Sequence, residues 1–336
     1  MADALQLAVL NPGGNDREQR FPDGAGRPDN GAPHPPVNYH AYAACTRGAF
    51  YRDAARIPAE ERAVLLVLRR DLKQCLKALR LLLAGGRMVA VTLKESGLHQ
   101  VAQLLEGVDK MAIFREICEA SHGCMASTGN LAGLYKAAGG RNVRFIPTPY
   151  PVDAPGWNFS LPLAQRSGIF IGTREWNTPS RNHAAALLLA GGMGAPVTVI
   201  NEDGRAGRKR LAGVGLAGAR VVEGRLPYPD YLRLMASHRI VWQLDRSAVP
   251  GQVAGDALLC GMPCVGGDGA IERIAFPEIC GAGREPAALQ EIATRLLRDD
   301  GAWEAAAAGA QRLAAERLSF AVIAEELSQY FAGLRR

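Results

Sequence analysis

No stretch of this sequence is apolar for long enough to cross a bilayer. The most apolar run, Ala78–Ala84, falls far short of the roughly 20 residues that a spanning helix needs. The first residues lack a basic segment followed by an apolar run and a small-residue cleavage site, so no secretory leader is expected. Cysteine is sparse: seven residues in 336, an odd number, with no two pairs at zinc-finger spacing. Cys75 and Cys118 lie in helix-like stretches, and Cys260 and Cys264 flank a Gly-Met-Pro turn. They read as small buried hydrophobes in a reducing cytosol. No carboxylates cluster at metal-ligand spacing, so a metal-independent protein is expected. Aromatic residues do not interleave with the basic ones, which argues against a platform for single-stranded nucleic acid.

What is present is an ordinary globular balance, 48% hydrophobic and 21% charged, which excludes disorder over most of the chain. The length implies two domains. The net charge of +6 fits general surface charge plus a phosphate site, and is also compatible with nucleic acid or contact with an anionic membrane surface. The expected location is cytoplasmic.

Strand-like and helix-like stretches alternate. Leu5–Leu10 reads as a strand ending at Asn11-Pro12-Gly13-Gly14, and residues 11–36 form a long loop of Gly, Pro, Asn and Asp. Val37–Phe50 can form a helix. Val64–Leu68, Met88–Leu93, Gly123–Ala126 and Val143–Ile146 read as strands. Between them lie helices over Asp71–Leu83, Leu98–Leu105, Met111–Ala120 and Leu131–Ala138. The proline-rich stretch Pro147–Pro162 breaks the pattern. It then restarts with strands at Gly168–Gly172, Pro196–Ile200, Ala219–Val222, Ile240–Leu244 and Pro263–Val265. Helices Pro179–Leu189, Tyr228–Ser237 and Gln252–Cys260 intervene, and three more follow to Phe331. Such alternation implies doubly wound parallel sheets. The expected domains are 1–150 and 166–318, with a linker at 151–165 and a final helix, 319–336, packing back on the first domain.

Gly172-Thr173-Arg174-Glu175, followed by Arg181-Asn182 and an apolar helix, resembles the start of the second domain in GT-B-fold glycosyltransferases of the group 1, retaining-type family. Val221-Val222-Glu223-Gly224-Arg225-Leu226-Pro227 resembles that family's strand–Gly-Arg–helix element. Gly255-Asp256-Ala257-Leu258-Leu259-Cys260-Gly261-Met262-Pro263-Cys264-Val265 is similar to its Glu-Ala-x-x-x-Gly-x-Pro-Val-Val signature, with Glu272 at the place of a family glutamate. The stretch Ser121–Val152 resembles the approach to its hinge. The resemblance spans about residues 120–330. It implies two facing Rossmann-like domains, transfer of a sugar from a nucleoside diphosphate donor to an acceptor hydroxyl, and no required cofactor. The family has two acidic residues eight apart. Asp256 matches the second, while Ala248 stands at the first, with Asp245 nearby.

The chemistry follows from residue types. A departing diphosphate develops charge that arginines and helix amides can stabilise. Arg174 and Arg181, with Gly172 and Thr173, are placed for this. Asp256 can accept from ribose hydroxyls, or cap a helix. Gly267-Asp268-Gly269 can turn amides toward the diphosphate or sugar, and Glu272 can contact the sugar. Gly224, Arg225 and Leu226 complete the donor set. In the first domain Gly13 and Gly14 allow close approach of a phosphate, or form an ordinary turn. His122, Glu95 and Asp245 are the catalytic candidates, and Tyr39 and His40 are placed to see an acceptor. Gly213-Val214-Gly215-Leu216-Ala217-Gly218 fits a dinucleotide fingerprint, but a strand follows it where a helix should. The basic run Arg205–Arg210 before it reads as an exposed loop. Two rival readings stay open: a nucleotide-sugar epimerase or hydrolase on the same fold, and an inactive binding scaffold, including one for nucleic acid. The acceptor stays open among glycan, lipid, natural product, peptide and nucleic acid.

Overall fold

A computed structural model describes residues 5–29, 34–172, 176, 178–214 and 218–334. The chain divides into two compact units. The first holds residues 1–27, 31–153 and 317–336, and the second holds residues 28–30 and 154–316.

The first unit is built on a seven-stranded sheet: β1 (Leu7–Leu10), β2 (Gln19–Arg20), β3 (Ala49–Tyr51), β4 (Ala63–Leu68), β5 (Met88–Leu93), β6 (Gly123–Ala126) and β7 (Arg144–Phe145), in the order β2-β3-β1-β4-β5-β6-β7. All pairings are parallel except β2 with β3. The strands between the two edges are buried on both faces, as a parallel sheet requires. Ala8, Leu10, Val64, Leu66 and Leu68 face helices α2 (Leu72–Ala84), α4 (Val108–Ala120) and α5 (Gly129–Ala137). Leu7, Val9, Leu65 and Val67 face α1 (Tyr39–Cys45) and the last helix, α13 (Phe320–Gly333). That alternation is the period-two geometry of a strand. A short helix α3 (Leu98–Leu104) follows β5. Asp153 accepts from the backbone amides of Phe320 and Ala321, at 3.3 and 3.1 Å, and so caps α13 together with Ser319.

One expectation fails here. Val37–Phe50 is not a single helix. Arg47 turns left-handed at φ 54°, and Gly48 lies so close to β1 that a Cβ would sit 2.1 Å from the Leu7 carbonyl oxygen. The chain therefore leaves α1 and re-enters the sheet as β3.

The second unit carries a five-stranded, all-parallel sheet of β8 (Ile169–Ile171), β9 (Val197–Asn201), β10 (Arg220–Glu223), β11 (Ile240–Gln243) and β12 (Cys264–Gly266), in the order β10-β9-β8-β11-β12. Its helices are α6 (His183–Gly191), α7 (Gly204–Val214), α8 (Tyr228–Ala236), α9 (Gln252–Leu259), α10 (Ala270–Ala275), α11 (Pro286–Arg298) and α12 (Asp300–Arg317). The basic run Arg205–Arg210 is not a loop. It lies in α7, where Gly207 allows contact with Asn201: a Cβ there would sit 1.9 Å from Oδ1. Residues 154–166 are tied to this unit. Phe159 N–H donates to Leu259 O at 2.8 Å, and the Arg166 guanidinium donates to the carbonyls of Leu161, Ala236 and Cys260.

Candidate functional site

In the second sheet the strand order reverses between β8 and β11, since β9 and β10 lie on one side and β12 on the other. Ligands of open α/β sheets sit beyond the carboxyl ends at such a switch point. Two loops meet there. Pro179–Arg181 forms a single 3-10 turn, and left-handed Asn182 (φ 53°) leads into α6. Asn182 Nδ2 donates to Leu244 O at 2.9 Å, Arg246 N–H donates to Ser180 O at 3.1 Å, and Ser247 Oγ donates to Ser180 Oγ at 2.8 Å. This stitching holds Arg181 beside Asp245, with Nη1 3.7 Å from Oδ2. Asp245 is buried and also accepts from Ser247 N–H at 2.8 Å. Asp245 is thus the counter-ion of Arg181. Gly172 closes β8, and a Cβ there would lie 2.1 Å from Val253 Cγ1, so glycine is required for α9 to pack over the strand end. Thr173 and Arg174 lie outside the described residues.

The loop after β12 is organised around Glu272. This carboxyl is 3% exposed, and its Oε1 accepts from Gln243 Nε2 at 2.7 Å. Three glycines crowd it. A Cβ on Gly251, Gly269 or Gly267 would approach its oxygens to 2.0, 2.4 or 2.9 Å. Burial pushes the Glu272 pKa up to about 8, and Asp245 and Asp268 add to the rise. Glu272, expected to contact a sugar, is instead the internal prop of this loop, because its carboxyl is enclosed by backbone. Asp268 is half-buried, and burial raises its pKa. Its Oδ1 accepts from Ala248 N–H at 2.8 Å, and its own amide donates to Asp245 O at 3.1 Å. Ala248, at the place of the absent family acid, is left-handed at φ 51°. Arg181, Asp245, Gly267, Asp268, Gly269 and Glu272 are therefore brought together.

A second group lies farther along the same edge. Gly224 (φ 83°) and exposed Arg225 follow β10, two strands or about 10 Å from β8. Leu226 is half-buried beside them. Asp256 is 1% exposed on α9 and accepts from Tyr228 Oη at 2.5 Å. It is not a helix cap, since Gly251 holds that position.

In the first unit, Gly13 and Gly14 follow β1 at the corresponding reversal between β1 and β4. Gly13 is at φ 70°, with Gln74 so close that a Cβ would meet its Oε1 at 2.6 Å. Gly14 is backed by Asn11 and Arg69. A groove of about 1080 Å³ runs from Gly13 along α2, lined by Arg17, Arg52, Arg56, Gln74 and Lys77 among others. Glu95 is half-buried past the end of β5. Lys94 lies over the Tyr39 ring at 5.1 Å and 3.9 Å from Asp16. Tyr39 Oη donates to Leu93 O, and burial pushes its pKa up to about 12, against the pull of the Thr92 and Ser127 hydroxyls.

Two expectations in this unit do not hold. His122 precedes β6, at the amino end of the sheet. Its Nδ1 accepts from Val89 N–H at 3.1 Å, so it seals the sheet at the edge opposite to Gly13 and Glu95. His40 is sandwiched between His34 and Phe50, at centroid distances of 3.8 and 3.7 Å. Burial lowers its pKa to about 3, which marks a neutral, structural ring.

Sequence reasoning missed Gln243, Tyr228, Gly251 and the hydroxyl residues Ser96, Ser127 and Thr128. A polar residue closing an apolar strand, as in Ile240-Val241-Trp242-Gln243, is the signal that was available. Among the described residues no group of three or more His, Cys, Asp or Glu is placed to hold a metal ion. No helix among them is long and apolar enough to cross a membrane.

Two doubly wound parallel sheets, each with polar groups gathered beyond its carboxyl edge, define an α/β protein of Rossmann-like architecture. No family model and no curated protein matches the chain in sequence. Solved structures match it in fold. HepE of Anabaena, solved with UDP and glucose, has a TM-score of 0.58 at 17% identity, over 80% of this chain and 78% of that one. A UDP-forming trehalose-phosphate synthase of Burkholderia xenovorans has a TM-score of 0.63 at 12% identity, over 89% and 80%. A glycosyltransferase of Rickettsia africae has a TM-score of 0.55 at 11% identity, over 81% and 76%. The chain has the GT-B glycosyltransferase fold.

Proposed function

We propose that this protein transfers a sugar from a nucleoside diphosphate donor to an acceptor hydroxyl, with no metal required. The observation that carries the proposal is Arg181, stitched at the switch point of the second sheet with Nη1 3.7 Å from Asp245 Oδ2. A guanidinium so placed presents fixed donors to a pyrophosphate and stabilises the charge it gains. In the reaction, the bond from the anomeric carbon to the diphosphate oxygen breaks and its electron pair stays on the diphosphate. The acceptor oxygen bonds to that carbon, and its proton passes to a diphosphate oxygen. Arg174 and the Gly267–Gly269 turn add donors to the diphosphate. Gly224, Arg225 and Leu226 take the nucleoside end, and Asp256 meets the ribose once Tyr228 yields. Similar structures solved with UDP and glucose make a UDP-sugar the first donor to try.

A second reading has one observation in its favour. The carboxylates expected to meet the donor are engaged inside the protein: Asp245 with Arg181, Asp256 with Tyr228, and Glu272 with Gln243. A binding scaffold would look the same. A thermal-shift screen against UDP, GDP, ADP, CMP and dTDP sugars separates the readings, because a ligand of the native state raises its apparent stability. One nucleotide class is expected to raise Tm, and Arg181→Ala is expected to weaken its binding by about 10–100-fold, the worth of a charged hydrogen bond. A flat screen, or an unaffected Arg181→Ala, would leave the scaffold reading standing. Retained turnover after chelator treatment tests the absence of a metal.

A further inference from the structure

The groove beside α2 leaves the carboxyl edge of the first sheet at Gly13 and follows the flank of that unit. One wall is a stripe of α2, with Gln74, Lys77, Ala78 and Leu81, the i, i+3, i+4, i+7 spacing of a single helix face. At about 1.5 Å per residue that stripe is about 10 Å long. Helix α2 joins the carboxyl end of β4 to the amino end of β5, so the stripe runs away from the edge where a sugar donor or acceptor would sit. The other wall is the segment between β3 and β4, with Arg52, Ala54 and Arg56.

The charges of the groove are unbalanced. Its carboxylates are Glu18 and Asp53. Glu18 accepts from the Arg52 backbone amide at 2.9 Å through one oxygen and pairs with Arg56 through the other. Asp53 accepts from Ala55 N–H at 3.0 Å and so caps the turn Ala54–Arg56. Both acids therefore hold the 52–56 wall together. The Arg52 guanidinium, and the Lys77 ammonium on the opposite wall, have no carboxylate partner among the described residues. Between them the floor is aliphatic: Ala54 and Ala78 are both buried, and Leu81 stands at the far end, 52% exposed.

Cations on two walls, an aliphatic floor and an exposed leucine fit a chain that carries carboxylates and one aliphatic side chain. An extended peptide covers the α2 stripe with roughly three residues at about 3.3 Å each, and the Gln74 amide can bond its backbone. A single nucleic-acid strand brings the charge, but its bases seek aromatic faces, and no aromatic residue lines the groove among the described residues. We propose that the α2 groove docks an acidic, extended segment of another protein, with an aliphatic residue of that segment against Leu81. The proposal goes beyond the transferase reading and does not rest on it.

The test is fluorescence anisotropy with the full chain and a labelled peptide of glutamates around one leucine. Its controls are the same peptide with lysine for glutamate, a peptide of glutamate alone, and an oligothymidylate of equal charge. The leucine-bearing acidic peptide is expected to bind, more weakly as salt is raised, and the lysine peptide is expected not to bind. Arg52→Glu and Lys77→Glu are each expected to weaken binding by about five- to tenfold, an exposed ion pair turned repulsive. Arg52→Gln and Lys77→Gln should fall between. Leu81→Ser should erase the advantage of the leucine-bearing peptide over glutamate alone. These side chains are exposed, so melting curves should stay unchanged. Equal binding of the lysine peptide, no loss in either charge reversal, or oligothymidylate binding at least as tightly overturns the proposal. Nucleotide thermal shifts on the same variants keep the two proposals apart: peptide binding with a flat nucleotide screen leaves this surface and removes the transferase.

Discussion

The two sheets end in edges of opposite character. Beyond the second sheet four described carboxylates each have a partner: Asp245 holds Arg181, Asp268 holds the Ala248 amide, Asp256 accepts from Tyr228, and Glu272 accepts from Gln243 through Oε1 while its Oε2 is buried without one. Beyond the first, hydroxyls of Ser96 and Thr128 and the Oδ1 of Asn11 are buried without partners. A ligand that meets Asp245, Asp256 or Asp268 must therefore exchange bonds already made. At the first edge it fills bonds left open. The former favours discrimination, since a wrong ligand cannot repay the lost pairs. The latter favours affinity, since orphaned groups gain whatever arrives.

The contrast can be broken first at Gly251. Its φ of 94° and the nearness of Glu272 leave no room for a side chain. Gly251→Ala should cost about 1–3 kcal/mol and lower Tm by about 2–4 °C per kcal/mol. An unchanged melting curve would mean that the glycine cage around Glu272 is not built as described. The next effect depends on pH. The folded state raises the Glu272 pKa to about 8, so it binds this proton more tightly than the unfolded chain. The resulting stability is complete below the ordinary carboxyl pKa of about 4.5. It is lost as pH rises through about 8. Glu272→Gln cannot titrate and keeps an acceptor for Gln243. Its Tm should gain on the native protein steadily between about pH 5 and 9, and parallel curves would refute the buried acid. The smallest effect belongs to the first edge. Thr128→Val replaces a buried hydroxyl that bonds nothing by a methyl, so stability should not fall and should rise by about 1 kcal/mol. A loss in chemical denaturation would show that the hydroxyl serves the fold.

Much of the framework was legible. Met88–Leu93 and Gly123–Ala126 are strands with the bounds their apolar patterns suggest, because a strand buried on both faces has no polar residue to blur its ends. Ala49–Tyr51 was hidden, since Tyr-Ala-Ala-Cys-Thr-Arg-Gly-Ala-Phe has no strong breaker before Gly48. Only the neighbouring Leu7 carbonyl explains why that glycine stops the helix. Helix α7 was hidden by its own glycines, of which Gly207 serves packing on Asn201. At the candidate site, charge and glycine patterns singled out Arg181 and the 267–269 turn, which lie on loops joined through Asp245. They did not reveal that Glu272 faces inward, because a buried and a solvated carboxylate look alike in sequence. Nor did they separate His122 from the site, because position along the chain does not say which end of a sheet a residue occupies.

The first unit is closed by a segment made last. Helix α13 buries Phe320, Ile323, Leu327, Tyr330 and Phe331 in the same cluster as Leu7, Val9 and Tyr42, more than 160 residues after the rest of that unit has ended at Asp153. During synthesis the first sheet must wait, with one face covered by α1 alone, until the entire second unit has left the ribosome. The second unit has no such debt, so order in the molecule should arrive from its middle outward.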